Sequence, residues 1–277
     1  MGVPPIGHPM SDPASDPVDA GWVTEGLVSP IVGPVVWVAQ TGSTNDLIAL
    51  RARDGAPEGL VIGADVQTRG RGRQGRAWEA SVDDAVLMSI LVRPDQTVTQ
   101  VGLLPIVAAV GVTDGLAALG IAAGIVWPND VSVEGRKLGG ILCELSSSAG
   151  TVSWGVIGIG INVHAAPTLP DARWIPVSCA ELVPEAPSRS AVVRAVAGGV
   201  GACCARWYAG ETEPIIAAFA ARDLLFGQEI EVQMRNDSRR GIARGIDASG
   251  KLLLEVAGGE QLALASAEVT RIMRPGH

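Results

Sequence analysis

Two apolar runs, Leu60–Val66 and Ala85–Val92, read as strands, and what joins them is neither apolar nor acidic. Residues 67–78 read Gln-Thr-Arg-Gly-Arg-Gly-Arg-Gln-Gly-Arg-Ala-Trp, so Arg69, Arg71, Arg73 and Arg76 fall within eight residues and alternate with Gly70, Gly72 and Gly75. Glycine lets backbone approach a ligand closely and take positive φ. Guanidinium groups grip phosphate or carboxylate oxygens through paired hydrogen bonds. A loop of this make-up suits closure over an anion. Gly70-x-Gly72-x-x-Gly75 also matches the dinucleotide fingerprint, which needs a helix after it and a carboxylate ending the next strand. Residues 77–84 lack an apolar helical face, and Val92 is followed by Arg93 and Pro94. An RGG-like nucleic-acid segment is a second alternative, and such segments are longer and belong to basic chains. A merely solvated basic turn is the third.

The chain is acidic, with a net charge of −8 and a sequence pI near 4.9 over 277 residues. That argues against general DNA or anionic-membrane binding and leaves room for one large core plus a small unit. Nineteen of the basic residues are Arg; the two lysines are Lys137 and Lys251. Cys143, Cys179, Cys203 and Cys204 have no Cys-x-x-Cys spacing, so they read as buried reduced thiols of a cytoplasmic protein. No Lys or Arg precedes Arg51, which removes the basic start of a secretory signal. The apolar stretch Val101–Trp127 holds Pro105, Asp114 and five glycines, and reads as a buried helix followed by a strand, not as a membrane span.

In chain order, residues 1–34 carry seven prolines and no helical period, and read as a flexible or irregular lead-in. A strand at Val35–Ala39 leads to Gln40-Thr-Gly-Ser43-Thr44-Asn45, where Ser43 or Thr44 can cap a helix over Asn45–Arg53 and point donors into a ligand site. A helix is predicted over Gly102–Leu119 and a strand over Ala122–Val126, running into the polar turn Trp127-Pro-Asn129-Asp130. Val131–Val133 and Gly139–Leu145 read as a hairpin turning at Glu134–Lys137. Thr151–Val163 is a Gly-rich strand, 165–188 a Pro-rich loop, and Ala191–Trp207 and Glu213–Arg222 are helices. From Leu224 onward, four short strands at 228–234, 239–247, 252–256 and 261–266 suggest a small SH3-like β-barrel. Gly245–Lys251 nearly spells a P-loop, but Leu252 stands where Ser or Thr is needed and no helix follows, so it reads as a hairpin turn. His164 falls in no triad or metal spacing.

Taken together, Gly42-Ser-Thr-Asn45, Gln67 with Gly70–Trp78, Trp127-Pro-Asn-Asp130, Arg136-Lys-Leu-Gly-Gly-Ile-Leu-Cys-Glu144 and Gly158-Ile-Gly-Ile-Asn162 resemble the biotin–protein ligases in their short form without an N-terminal DNA-binding domain. Gly241–Leu254 resembles the family's small C-terminal domain, and the likeness spans roughly 36–272. It implies an α+β fold: a mixed sheet flanked by helices, of the class II synthetase-like biotin/lipoate ligase kind, followed by an SH3-like barrel. The expected division is a lead-in at 1–34, a catalytic domain at 35–223 and a C-terminal domain at 224–277. The implied reaction joins biotin to ATP with Mg2+, giving biotinyl-AMP and pyrophosphate, and then acylates a lysine of a biotin carboxyl carrier domain. Resemblance assigns Arg71, Arg73 and Lys137 to catalysis, where fixed cations offset carboxylate–phosphate repulsion. It assigns Ser43, Thr44, Asn45 and Gln67 to biotin, with Arg71, Gly72, Arg73 and Lys137 beside it. Trp78, Asn129, Asp130 and Asn162, again with Arg71 and Arg73, go to the nucleotide, and Asp130 to the metal. The implied protein is a cytoplasmic monomer or weak homodimer that binds no nucleic acid or membrane.

Three positions depart from the family pattern. Val126 precedes Trp127 where Lys is usual, Arg69 replaces a small residue, and Asp83-Asp84-Ala85 replaces a Gly-Asn-like turn. Arg69 is expected to supply the charge that Val126 lacks. Lipoate ligase, non-catalytic biotin-binding module and biotin-responsive repressor remain as competing functions.

Overall fold

In the computed structural model, residues 16–29, 31–94, 100–148, 150–168, 174–234 and 237–273 are described. The main sheet has seven strands in the order β1-β2-β3-β7-β6-β5-β4. They are β1 (Val35–Thr41), β2 (Val61–Gln67), β3 (Ala85–Val92), β4 (Gly124–Val126), β5 (Asp130–Val133), β6 (Arg136–Ser148) and β7 (Thr151–Asn162). Only the β1–β2 pair is parallel, which makes the sheet mixed, as expected from sequence.

The period of two along β7 builds the two faces. Ile157, Ile159 and Ile161 enter the large core with α3 (Leu104–Ala117) and α4 (Arg189–Tyr208). Helix α3 is buried along most of its length; a Cβ on Gly111 would sit 2.5 Å from Val200 Cα, so the two helix backbones touch there. Trp154 and Val156 point the other way, to a smaller core with Ile48 and Ala52 of α2 (Thr44–Arg53). Further along that same face the side chains shrink to Gly158 and Gly160. The apolar cover ends there, and a cleft begins.

Several expectations shift. The lead-in packs over its described part: α1 (Ala20–Glu25) buries Val23, and the Asp16 carboxylate accepts from Arg189 N at 2.5 Å. Residues 1–15 lie outside the described residues. The hairpin turn is Glu134-Gly135, both at positive φ, so Lys137 belongs to strand β6 and not to the turn. Helix α5 (Thr212–Ala220) ends earlier than its sequence pattern predicts. The C-terminal unit is an all-antiparallel five-stranded sheet in the order β11-β10-β9-β8-β12, and no pairing of β11 with β12 closes it among the described residues. Its strands are β8 (Glu229–Gln233), β9 (Ser238–Ile246), β10 (Leu252–Val256), β11 (Gln261–Leu264) and β12 (Glu268–Met273), the last missed in the sequence. The P-loop-like stretch is the turn between β9 and β10, and Gly250 O there accepts from Trp127 Nε1 at 3.0 Å.

Candidate active site

The cleft lies on the α2 face of the sheet, floored by Gly140, Gly158 and Gly160. Each glycine leaves room for a large neighbour. A Cβ on Gly158 would lie 2.2 Å from Asn45 Oδ1, and one on Gly160 would lie 2.5 Å from the Trp78 ring. Here a missing side chain places a functional one.

At one end, Ser43, Thr44 and Asn45 are buried at the start of α2. Ser43 holds the capping position but makes no side-chain cap bond, contrary to the simple capping expectation. Instead Gln67 Oε1, from the end of β2, accepts from Thr44 N at 2.7 Å. Thr44 Oγ1 lies 3.1 Å from the same oxygen. Asn45 Nδ2 donates to Glu144 Oε2 at 2.7 Å and to Leu142 O at 3.3 Å. Beneath them Ser89, fully buried in β3, places its Oγ 2.7 Å from Thr44 Oγ1 and 2.6 Å from Asn45 Oδ1. Ser89 is a buried polar position behind the candidate site that sequence reading missed. Its one signal is a hydroxyl inside an otherwise apolar strand that is buried at every position.

Cations line the rest of the cleft, and the first of them, Arg71, shares Glu144 with Asn45. Arg71 forms a paired contact with Asp46 at 2.7 and 2.9 Å and reaches Glu144 Oε1 at 3.4 Å. The hydrogen bond from Arg71 holds the Asp46 carboxyl below its ordinary range and raises the guanidinium in turn. Arg73 Nη1 donates to Asn129 Oδ1 at 3.3 Å, and burial lowers this guanidinium against the pull of Asp130. Asn129 is fixed by donating its own amide to Ile141 O at 2.8 Å. Lys137 Nζ donates to Asp130 Oδ1 at 2.7 Å and stands 5.7 Å from the Trp78 ring centroid, within cation–π range. The backbone of Lys137 is held by one neighbouring segment, its N–H donating to Ile175 O and its carbonyl accepting from Val177 N. Arg76 pairs with Glu268, which ties the loop to β12 of the C-terminal sheet.

Asn162 does not line this cleft. It ends β7 with Nδ2 donating to Val177 O at 3.0 Å, and its Oδ1 is buried with no partner among the described residues, as is Trp78 Nε1. Arg69 lies over Gly42 and lowers the Asp46 carboxyl, whereas Val126 is packed in the large core; the charge expected to compensate for Val126 therefore sits on the α2 side. The Asp83 departure has a structural reason: it takes a φ of 65° and pairs at 2.6 Å with Arg189, which is fully buried and also holds Asp65 at 2.8 Å. His164 pairs with Asp16, away from the cleft lining. The four cysteines are free, and burial pushes the thiols of Cys143, Cys179 and Cys203 up to about 12.

No group of three or more His, Cys, Asp or Glu suited to a metal occurs among the described residues. Asp130, the expected metal ligand, is engaged by Lys137. This donor set does not fit a resident ion. Magnesium commonly enters such sites with nucleotide phosphates and takes only one or two protein carboxylates. No helix among the described residues is long and apolar enough to cross a membrane.

Comparison with known proteins follows the same outline. Residues 37–162 match the biotin/lipoate A/B protein ligase family, and residues 225–270 match the biotin protein ligase C-terminal domain. The chain is 37% identical over 246 residues to the biotin–[acetyl-CoA-carboxylase] ligase of Mycobacterium tuberculosis, covering 85% of this chain and 88% of that one. It is 34% identical over 239 residues to a bifunctional ligase/repressor of Bacillus subtilis, covering 83% and 72%. Among solved structures, the biotin protein ligase of Aquifex aeolicus in complex with biotin and ATP superposes with a TM-score of 0.73 at 23% identity, over 87% of this chain and 99% of that one.

Proposed function

This chain belongs to the biotin/lipoate protein ligase family, on its biotin protein ligase branch, and from that premise we infer how its residues share the work. The enzyme activates biotin with ATP to biotinyl-5′-AMP and passes the biotinyl group to a lysine of a carboxylase carrier domain. In the first step a biotin carboxylate oxygen attacks the α-phosphorus, the bond to the bridging oxygen breaks, and pyrophosphate leaves. In the second, the carrier amine attacks the acyl carbon, AMP departs, and an amide remains.

The observation that carries the residue assignment is one cleft with a neutral hydrogen-bonding end and a cationic end. Thr44, Asn45 and Gln67, with Ser43 beside them, present the donors and acceptors that a ureido ring requires. Trp78, packed over Gly140 and Gly160 and within cation–π range of Lys137, gives a flat aromatic wall for the nucleotide, as the resemblance assigns it. Arg71, Arg73 and Lys137 lie where carboxylate and phosphate must meet, and they offset a repulsion that grows as water is excluded. In this reading each cation exchanges its present protein partner for a substrate oxygen. Asn129 and Asp130 face the nucleotide. Asn162 ends β7 outside the cleft lining, so its assignment to the nucleotide rests on the family resemblance alone. The Gly70–Gly75 loop closes over the adenylate and shields it from water.

We assign residues 35–223 to the catalytic domain and 224–277 to the C-terminal domain, whose finer form we read as SH3-like. Location in the cytoplasm, and action as a monomer or weak homodimer on free carrier protein, belong to the same reading. Isotope exchange of pyrophosphate into ATP, run with biotin, with lipoate and with neither, tests it. Exchange should appear with biotin alone. Exchange with lipoate alone would move the substrate to the sister acid, and biotin binding without exchange would leave a binding module.

A further inference from the structure

The turn between β9 and β10 is built around one carboxylate oxygen. Asp247 Oδ1 accepts from Ser249 N and from Ser249 Oγ at 2.8 Å each, and from Lys251 N at 3.0 Å. Burial would raise this carboxyl, but the donors outweigh burial and hold it below its ordinary value. The backbone closes the same turn, Gly250 N donating to Asp247 O at 3.0 Å and Asp247 N to Lys251 O at 2.9 Å. Gly250 is buried at a φ of 82°, and a Cβ on it would lie 3.2 Å from Leu103 and from Ile106 at the start of α3. From there the Gly250 carbonyl reaches the main sheet and accepts from Trp127 Nε1 at 3.0 Å, in a buried bond. An indole nitrogen only donates, and a buried donor without an acceptor is strongly disfavoured, so the ring follows the carbonyl. Trp127 lines the cleft, and it opens the tight turn that Val126 and Asp130 close by pairing. In that turn Asn129 accepts from Arg73 at 3.3 Å, and Asp130 accepts from Lys137 at 2.7 Å.

We propose that Asp247 is a positioning residue for adenylation: its carboxylate shapes the β9–β10 turn so that the Gly250 carbonyl holds the Trp127 indole, and with it Asn129 and Asp130, in place for the nucleotide. The inference deepens the proposed function and rests on its assignment of Asn129 and Asp130 to the nucleotide. Asp247 touches none of the residues that line the cleft and acts through two intermediates, the Gly250 carbonyl and the Trp127 ring. Its removal leaves the backbone bonds of the turn in place but releases three donors from their shared acceptor, so the direction of the Gly250 carbonyl is no longer fixed. Coupling of this kind is reciprocal. A nucleotide that steadies the Trp127–Asp130 turn must steady the β9–β10 turn to the same extent.

The test is pyrophosphate exchange beside calorimetric biotin binding, in the parent, in Asp247→Ala, Asp247→Asn and Trp127→Phe, and in Asp247→Ala combined with Trp127→Phe. In Asp247→Ala the kcat for exchange should fall about tenfold, as a slight displacement of reacting groups produces, while biotin affinity stays within about twofold. Asp247→Asn keeps an oxygen for the three donors and should recover most of the rate. The double variant should be no slower than the slower single variant, because both substitutions break one path. Losses that multiply overturn the proposal. So does an Asp247→Ala rate equal to the parent's, or a biotin affinity that falls as far as kcat. A parent with no biotin-dependent exchange sinks the proposed function instead, and is seen before any variant is made. Should Asp247→Ala not fold, amide hydrogen exchange in the parent gives an independent answer. Biotin with ATP should slow the Ser249 and Lys251 amides about fivefold or more relative to the β10–β11 turn at 257–260. Equal slowing of both turns, or none, overturns the proposal.

Discussion

At the Thr44 end of the cleft the protein's polar groups are answered by one another. Thr44, Asn45, Gln67 and Ser89 are linked at 2.6 to 3.1 Å and are held by a serine with no exposed surface. At the Lys137 end the groups are charged, partly open to solvent and held by partners that a substrate can replace. Arg71 rests on Asp46 and Glu144, Arg73 on Asn129, and Lys137 on Asp130. The contrast follows from what each end must bind. A ureido ring is neutral, and in the proposed reading its donors and acceptors are matched by neutral groups, with the half-exposed Glu144 carboxylate anchoring Asn45 from behind. Carboxylate and triphosphate are anionic, and the partly buried cations proposed to await them need interim partners. In the proposed reading, preformed geometry supplies specificity at one end, and exchangeable charge supplies catalysis at the other.

The contrast breaks most visibly at Lys137. Lys137→Ala should lower pyrophosphate exchange about a hundred- to a thousandfold while biotin binding changes far less. Equal losses in both would mean that the ends are not separable. Gly158→Ala attacks the neutral end through its floor, since the new Cβ would press on Asn45 Oδ1 at 2.2 Å. Biotin affinity measured by calorimetry should fall about ten- to a hundredfold, with ATP affinity nearly kept. Arg73→Ala should raise the KM for ATP about tenfold. ATP binding to the parent should weaken with added salt, as charge recognition does, while biotin binding stays level; a salt-insensitive KM for ATP would remove the cationic end from the reading.

The smallest effect is at Asp46. Its depressed carboxyl stabilises the fold fully above the unfolded value of about 3.9, and that contribution is lost as pH falls through the lower folded value. Both partners are more than a third exposed, so screening keeps the pair below about 1 kcal/mol. Asp46→Asn should therefore lower Tm by at most a few degrees above about pH 4. The difference from the parent should vanish in stronger acid, and melting curves from pH 2 to 7 would show whether it does.

Much of this was legible in the residues. The Arg-Gly loop, the Trp127–Asp130 turn and the Gly-rich strand announced themselves because each breaks a local rule that ordinary strands and turns obey. The reasons for the departures were not legible. Asp83 looks like an altered turn until Arg189, 106 positions later in sequence, is found against it. Arg69 looks like a substitute for a missing lysine until its guanidinium is found over Gly42. Strand β12 escaped notice because its pairing with β8, more than thirty residues earlier, defines it better than its own short pattern.

The sequence by itself determined most of the strands and helices and marked the Arg-Gly loop as suited to an anion, because periodicity and local composition are properties of neighbouring residues; the mixed sheet and the roles of the cations came with the family resemblance. Only the tertiary structure decided that Gln67 caps the helix Ser43 begins, that Lys137 lies in a strand clamped by residues 175–177, and that Ser89 stands behind Thr44 and Asn45. These are contacts between strands and helices distant in the chain. A hydrogen bond is set by distance and direction, and both come into being when the chain has folded.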